Sequence, residues 1–279
     1  MTPLPAEEVL AAINTIPSLP AVVTELLAQL DDDHVDMACV ARRIAVDPAL
    51  TARVLRLANS SFYGLQKQIT TPSEAVAVLG LHNLRRLIST AAIMGKLPIA
   101  QDSAIAFEAY WRHAIGTALC ARGIAAQKGI NPEAAYVAGL LHDIGRLVLA
   151  IRFPERYKGA MEHHRACGIP MVEAEDTVLG LNHAMVGAAL ARHWNFPEPI
   201  RQAIAEHHDV DRLPLATLVA VVHAADALAH ALDFDGTENA MAAPIPQGTW
   251  DRLELHEEQV RAVADQADQE FALACRVLQ

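Results

Sequence analysis

An imidazole and a carboxylate stand side by side in Gly139-Leu140-Leu141-His142-Asp143-Ile144-Gly145-Arg146, within an apolar run that reads as helical. Neighbouring side chains on a helix point about 100° apart, so His142 can hold one ion while Asp143, with two oxygens, reaches that ion or bridges to a second. A closed metal shell needs about four to six donors, and the doublet supplies too few. The rest of the chain offers more. In order, the donors are His113, His142, Asp143, His183, His207, His208 and Asp226, each on or at the end of a predicted helix and most with apolar neighbours. A lone histidine on an apolar helix face is ordinarily a core residue. Seven donors arranged around an adjacent His-Asp pair point instead to a metal centre. The other histidines, His34, His82, His163, His164, His193, His223, His230 and His256, read as surface or helix-packing residues.

Helices must bring these donors together. Apolar residues at three- and four-residue spacing predict helices over 5–13, 19–30 and 36–46, and Asp47-Pro48 supplies a cap and a first-turn proline for a fourth reaching about Ala58. Asn59-Ser60-Ser61-Phe62-Tyr63-Gly64 breaks the pattern and presents two aromatics, read as core plugs or as a contact surface. Thr71-Pro72-Ser73-Glu74 has the capping-box arrangement for a helix ending near Gly80, followed by one from Leu81 to Met94. The pattern pauses at Gly95-Lys96-Leu97-Pro98, which divides a helical half (1–98) from a donor-bearing helical domain (99–235). A loop and terminal helix (236–279) are expected to pack on the latter. A long helix from about Ser103 carries Trp111-Arg112-His113, and Asn131-Pro132-Glu133 caps another that runs through the doublet to Leu149. Further helices begin at Phe153-Pro154, after the cap Asn182, and at Pro197. Leu213 to Leu232 reads as a buried helix, 233–248 as a loop, and Glu257 to Val277 as the last helix. No sustained period-two pattern occurs, so the expected fold is all-α.

The 279 residues, 52% of them hydrophobic, can bury a large core. Four scattered cysteines without a C-x-x-C pair suit a reducing compartment and inert core thiols. The first residues lack a basic stretch followed by an apolar core, and the apolar stretch 213–232 is interrupted by His223, Asp226 and His230. The expectation is a cytoplasmic protein with no membrane span. Closely spaced N-terminal helices with Arg85 and Arg86 invite a helix-turn-helix reading. A net charge of -11 with Asp31-Asp32-Asp33 gives no basic footprint, so direct DNA binding is not expected.

From Trp111-Arg112-His113 through the doublet to Asp226, the chain resembles the HD superfamily of metal-dependent phosphohydrolases, whose core pattern is His, His-Asp, Asp. The extra His183 and His207-His208 are similar to the HD-GYP branch of cyclic-dinucleotide phosphodiesterases, which uses those positions for additional metal. Ile16-Pro17-Ser18-Leu19-Pro20, Asp47-Pro48-Ala49-Leu50, Leu57-Ala58-Asn59-Ser60-Ser61-Phe62-Tyr63 and Ala75-Val76-Ala77-Val78-Leu79-Gly80 resemble the recurring signature of the HDOD family. Together these matches cover roughly Ile16 to Asp226, with HDOD the nearer fit. The resemblance implies a helical N-terminal subdomain packed on an HD-type helical domain, in a bacterial signalling module with no established catalytic activity. The chain departs from HD-GYP in having no Gly-Tyr-Pro after His207-His208 and Arg146 where that branch has lysine.

Two divalent ions would outweigh the charges of Asp143 and Asp226, leaving a pocket that attracts phosphate and acidifies a water held between the ions. Asp143 and Arg146 are the candidates for any catalytic part. Arg146 reads either as a phosphate clamp through its planar fork or as a structural ion-pair residue. The nitrogen and oxygen donor set suits iron, manganese, zinc or nickel, as one ion or two. Two functions follow: a non-catalytic signalling module with a retained metal site, or a metal-dependent phosphohydrolase or phosphodiesterase acting on a nucleotide or cyclic dinucleotide. The expected partner is a signalling protein or a small phosphate-containing ligand.

Overall fold

The computed structural model describes residues 3–19, 23–24, 37–46, 51–52, 54–55, 59, 69–97, 105–210, 216–236 and 245–275. Among these residues the regular elements are helical and no strand occurs, as the periodicity predicts. The Phe62-Tyr63 loop and the Asp31-Asp32-Asp33 run lie outside them. The first helices are α1 (Ala6–Asn14), α2 (Met37–Val46) and α3 (Pro72–Lys96). The expected capping box opens α3, with Thr71 Oγ1 accepting from the Glu74 amide at 3.2 Å and the Glu74 carboxylate accepting from the Thr71 amide at 3.3 Å. Gly80 interrupts α3 at φ 73°, where the sequence reading separates two helices.

The remaining helices are α4 (Phe107–Gln127), α5 (Pro132–Leu141), α6 (Ile144–Arg152), α7 (Pro154–Cys167), α8 (Met171–Leu179), α9 (His183–His193), α10 (Glu198–Glu206), α11 (Thr217–Ala231), α12 (Gln247–Leu253) and α13 (Glu257–Ala274). From Tyr110 to Ala125 every residue of α4 except Arg112 is buried, which marks it as the axis of the fold. Around it pack α5, α11 and α13, while α9 lies against α6, α10 and α1. The N-terminal segment is tied to α8 and α9 by three long-range hydrogen bonds. Leu4 N–H donates to the Leu179 carbonyl at 2.7 Å, His193 Nε2 to the Ile16 carbonyl at 2.9 Å, and Trp194 Nε1 to the Pro17 carbonyl at 3.2 Å.

Several expectations need correction. The helix through the doublet is two helices: α5 ends at Leu141, Asp143 takes φ -97° and ψ 9°, and α6 starts at Ile144. The break places the Asp143 carboxylate at the N-terminus of α6, where the helix dipole favours negative charge. Residues 171–179 form a helix not separately identified in the sequence, and the 233–248 loop gives way to α12 at Gln247. Cys120 is buried and its thiol is pushed up to about 12 by desolvation, but Cys167 is exposed rather than a core thiol. One helical run, Pro132–Arg152, is long and apolar enough to cross a membrane by length and composition, and it is mostly buried inside the fold.

Candidate metal centre

Two close backbone crossings set the geometry. A Cβ at Gly139 would lie 3.0 Å from the Thr117 carbonyl, so glycine there lets α5 lie close on α4 without either backbone giving way, bringing the doublet alongside His113. A Cβ at Gly145 would sit 2.0 Å from the His183 carbonyl oxygen, so glycine lets α6 touch the start of α9 and sets His183 beside Asp143. Asn182 starts α9 as predicted, accepting from the Met185 amide at 3.1 Å. His207 and His208 follow the last turn of α10, and Asp226 and His230 lie four residues apart on α11.

All seven predicted donors come together. Asp143 Oδ1 is 3.1 Å from His183 Nε2 and 3.7 Å from His207 Nε2, and His183 Nε2 is 2.9 Å from His208 Nε2. The other oxygen, Asp143 Oδ2, is 3.7 Å from His142 Nε2 and accepts from Arg146 Nη1 at 2.8 Å. Asp226 Oδ1 is 3.0 Å from His113 Nε2 and 3.5 Å from His142 Nε2. Asp143 thus presents one oxygen to each side, as a bridging carboxylate does. His113, His142, Asp143, His183 and His207 are buried, and His208 is exposed at the solvent edge.

Two of the imidazoles are set to ligate a divalent ion. His142 Nδ1 donates to the Gly139 carbonyl at 2.7 Å and His207 Nδ1 to the Ile204 carbonyl at 2.9 Å. A carbonyl only accepts, so Nδ1 carries the hydrogen, and in the neutral ring Nε2 presents its lone pair. Both Nε2 atoms are buried without a hydrogen-bond partner. Such orphaned acceptors are costly in an ordinary core, whereas a metal centre uses inward lone pairs, helped here by the tied-down outer nitrogen.

The surroundings are equally specific. Glu175, fully buried on α8, accepts from the His183 amide at 2.8 Å and from its Nδ1 at 2.5 Å. Burial alone would push the His183 imidazole down, but the carboxylates of Glu175 and Asp143 outweigh it and hold it up at about 10. Burial likewise opposes the charged form of Asp143, yet His142, Arg146 and His183 keep its carboxyl well below the usual range. Desolvation lowers His207, favouring the neutral, ligating form. Arg146 donates from Nε to the Tyr157 hydroxyl at 3.1 Å as well as from Nη1 to Asp143. His223 Nδ1 donates to the His207 carbonyl at 2.9 Å, which suits its reading as a packing residue.

Two residues at the centre escaped the sequence reading. His230 Nε2 is 3.5 Å from Asp226 Oδ1, and its ring stacks on His113 with centroids 4.3 Å apart. Its four-residue spacing from Asp226 was the available signal. Glu175 lies on a helix that the sequence reading did not isolate, and it adds a fully buried carboxylate to those of Asp143 and the partly buried Asp226.

The HDOD domain family matches residues 16–210 of this sequence. The chain belongs to the HDOD family. An HDOD domain protein from Geobacter sulfurreducens has the same fold, with a TM-score of 0.77 and 26% identity over 98% of both chains. A solved structure from Marinobacter aquaeolei VT8, described as a putative signal transduction protein, shares the fold at TM-score 0.81 and 24% identity, covering 98% of this chain and 65% of that one. An uncharacterized protein of Treponema pallidum is 31% identical over 204 residues, and ribonuclease Y of Syntrophotalea carbinolica is 36% identical over 120. Those alignments cover 72% and 43% of this HDOD chain, but only 39% and 18% of the respective relatives. The resemblance and the all-α fold class both hold. A His/Asp cluster able to hold metal is present in this HDOD chain.

Proposed function

We propose that this HDOD chain is a signal-transduction module that carries out no chemistry of its own and uses an HD-type metal centre to fix, or switch, the packing of its helices. The observation that carries this reading is the position of Arg146. Of the two roles read for this cation, phosphate clamp or ion-pair residue, the second is favoured: its fork is on Asp143 and the Tyr157 hydroxyl, so it serves as a positioning residue for Asp143. The missing Gly-Tyr-Pro points the same way.

Asp143, His183, His207 and His208 would hold one divalent ion, and His113, His142 and Asp226 a second, with Asp143 between them. Bound metal supplies positive charge and a cross-link among α4, the α5–α6 junction, α9, α10 and α11. The chain's own residues do the rest: Gly139 and Ile204 orient two rings through their carbonyls, Glu175 orients His183, and Arg146 orients Asp143. The partner in this reading is a signalling protein or a small phosphate-containing ligand, acting in the cytoplasm without direct contact to DNA.

The test is elemental analysis of untagged protein purified without added metal, paired with turnover assays on cyclic dinucleotides and generic phosphodiesters. Metal is expected in the wild type, with no turnover. His142→Ala and Asp143→Ala should lower metal content and melting temperature together, by a linkage of about 3–4 kcal/mol if the working metal concentration exceeds Kd by 100- to 1,000-fold. Unchanged metal content in both variants would remove the metal centre from this reading. The second reading, a metal-dependent phosphodiesterase, is favoured by the similarity to ribonuclease Y; turnover that disappears in Asp143→Ala would establish it.

A further inference from the structure

Three imidazole nitrogens surround one oxygen at the α11 end of the centre. His113 Nε2, His142 Nε2 and His230 Nε2 lie 3.0, 3.5 and 3.5 Å from Asp226 Oδ1. With metal–nitrogen and metal–oxygen bonds of about 2.0–2.2 Å, adjacent donors of a first shell lie about 3–3.5 Å apart. His113, Asp226 and His230 also form a set whose donor atoms all lie within 4.8 Å of one another. The second ring nitrogen of His230 is not engaged elsewhere. This Nδ1 is buried without a hydrogen-bond partner.

We propose that His230 is a metal ligand. With His113, His142 and Asp226 it completes a three-histidine, one-carboxylate subsite for a divalent transition-metal ion. The core His, His-Asp, Asp pattern leaves positions for water or substrate, and at this end an additional imidazole from the same face of α11 occupies one. A four-donor protein shell is characteristic of structural sites, whereas catalytic ones keep a position open. This proposal rests on the metal-centre reading above and gives its non-catalytic part a physical cause.

The experiment loads tag-free, metal-stripped protein with Co(II) and compares wild type, His230→Ala, His230→Gln and the surface control His256→Ala. Stoichiometry, competition-derived affinity and the visible ligand-field spectrum are read, with circular dichroism reporting the fold. Loss of His230 should weaken one Co(II) site by at least tenfold and reduce its intense four-coordinate absorption, with His256→Ala unchanged. In wild type, metal loading should protect His230 from diethyl pyrocarbonate, read by peptide mass spectrometry, a measurement that does not depend on any variant folding. If wild type binds Co(II) and His142→Ala weakens it, while the His230 variants keep affinity and spectrum and His230 labels equally with and without metal, the proposal is overturned and the metal centre stands. If wild type binds no Co(II), both fall.

Discussion

The two ends of the centre are chemically alike and are built differently. At one end Asp143 meets His183, His207 and His208, contributed by a helix junction, the start of α9 and the exit of α10. At the other, Asp226 and His230 come from consecutive turns of α11 and meet His113 from α4. The first end depends on a backbone-to-backbone crossing at Gly145 and has the buried Glu175 behind it; the second has its carboxylate and one imidazole pre-set by helical spacing. Convergence of residues distant in sequence therefore rests on glycine contacts and buried charge, while a four-residue pair needs only its own helix.

The largest expected effect comes from breaking the crossing. Gly145→Ala puts a methyl group 2.0 Å from the His183 carbonyl, where backbone rather than a flexible side chain must yield. We expect a loss of about 3 kcal/mol in denaturant melts, at the upper end of the overpacking range, together with the Asp143-side metal. A variant with wild-type midpoint and metal content would show that α6 and α9 do not need that contact.

Next in size is Glu175→Gln, which keeps the shape of the side chain and removes its charge. Metal affinity at the Asp143 end should fall roughly 10- to 100-fold, as for other residues that orient a ligating histidine, with the Asp226 end unaffected. Equal weakening at both ends, read by site-resolved Co(II) spectra, would mean that the two ends are not separable.

A smaller effect follows from pH. In metal-free protein His183 is raised to about 10, above its ordinary value of 6.5, so its contribution to stability is complete below about 6.5 and is lost as pH rises toward 10. Metal requires the unprotonated ring, so its affinity should rise over the same interval. The melting-temperature difference between loaded and stripped protein should therefore widen from pH 7 to 9, and narrow in Glu175→Gln. A difference that is flat with pH in wild type would argue against His183 as a ligand.

The smallest expected effect is none. Arg86, on α3, donates to Asn83 Oδ1 at 2.9 Å and lies 3.8 Å from a Glu133 carboxylate oxygen. Random duplex DNA should not bind measurably at physiological salt in a salt-titrated anisotropy experiment, and Arg86→Ala should leave metal content unchanged. Micromolar affinity falling steeply with salt, and abolished by that substitution, would overturn the exclusion of DNA.

Much of this was legible along the chain. Periodicity and caps predicted α3, α7 and α9, because Thr71, Pro154 and Asn182 act on backbone groups within one turn of themselves. The seven donors were visible because His and Asp in apolar helices are chemically expensive unless something uses them. What the sequence did not decide was where helices touch. Gly139 and Gly145 read as ordinary helix residues until α4 and α9 arrive against them, and the Asp143 turn looked like continuous helix because Leu140 to Leu149 keeps helical periodicity across it. Glu175 gained a role only when α8 delivered it to His183, 8 residues further along the chain. On paper Arg146 was either a phosphate clamp or an ion-pair residue; in the fold its guanidinium is bonded to Asp143 and Tyr157. Composition and spacing determine which groups are available for chemistry; only close packing determines which lone pairs and charges have been satisfied by a neighbour and which still face the centre.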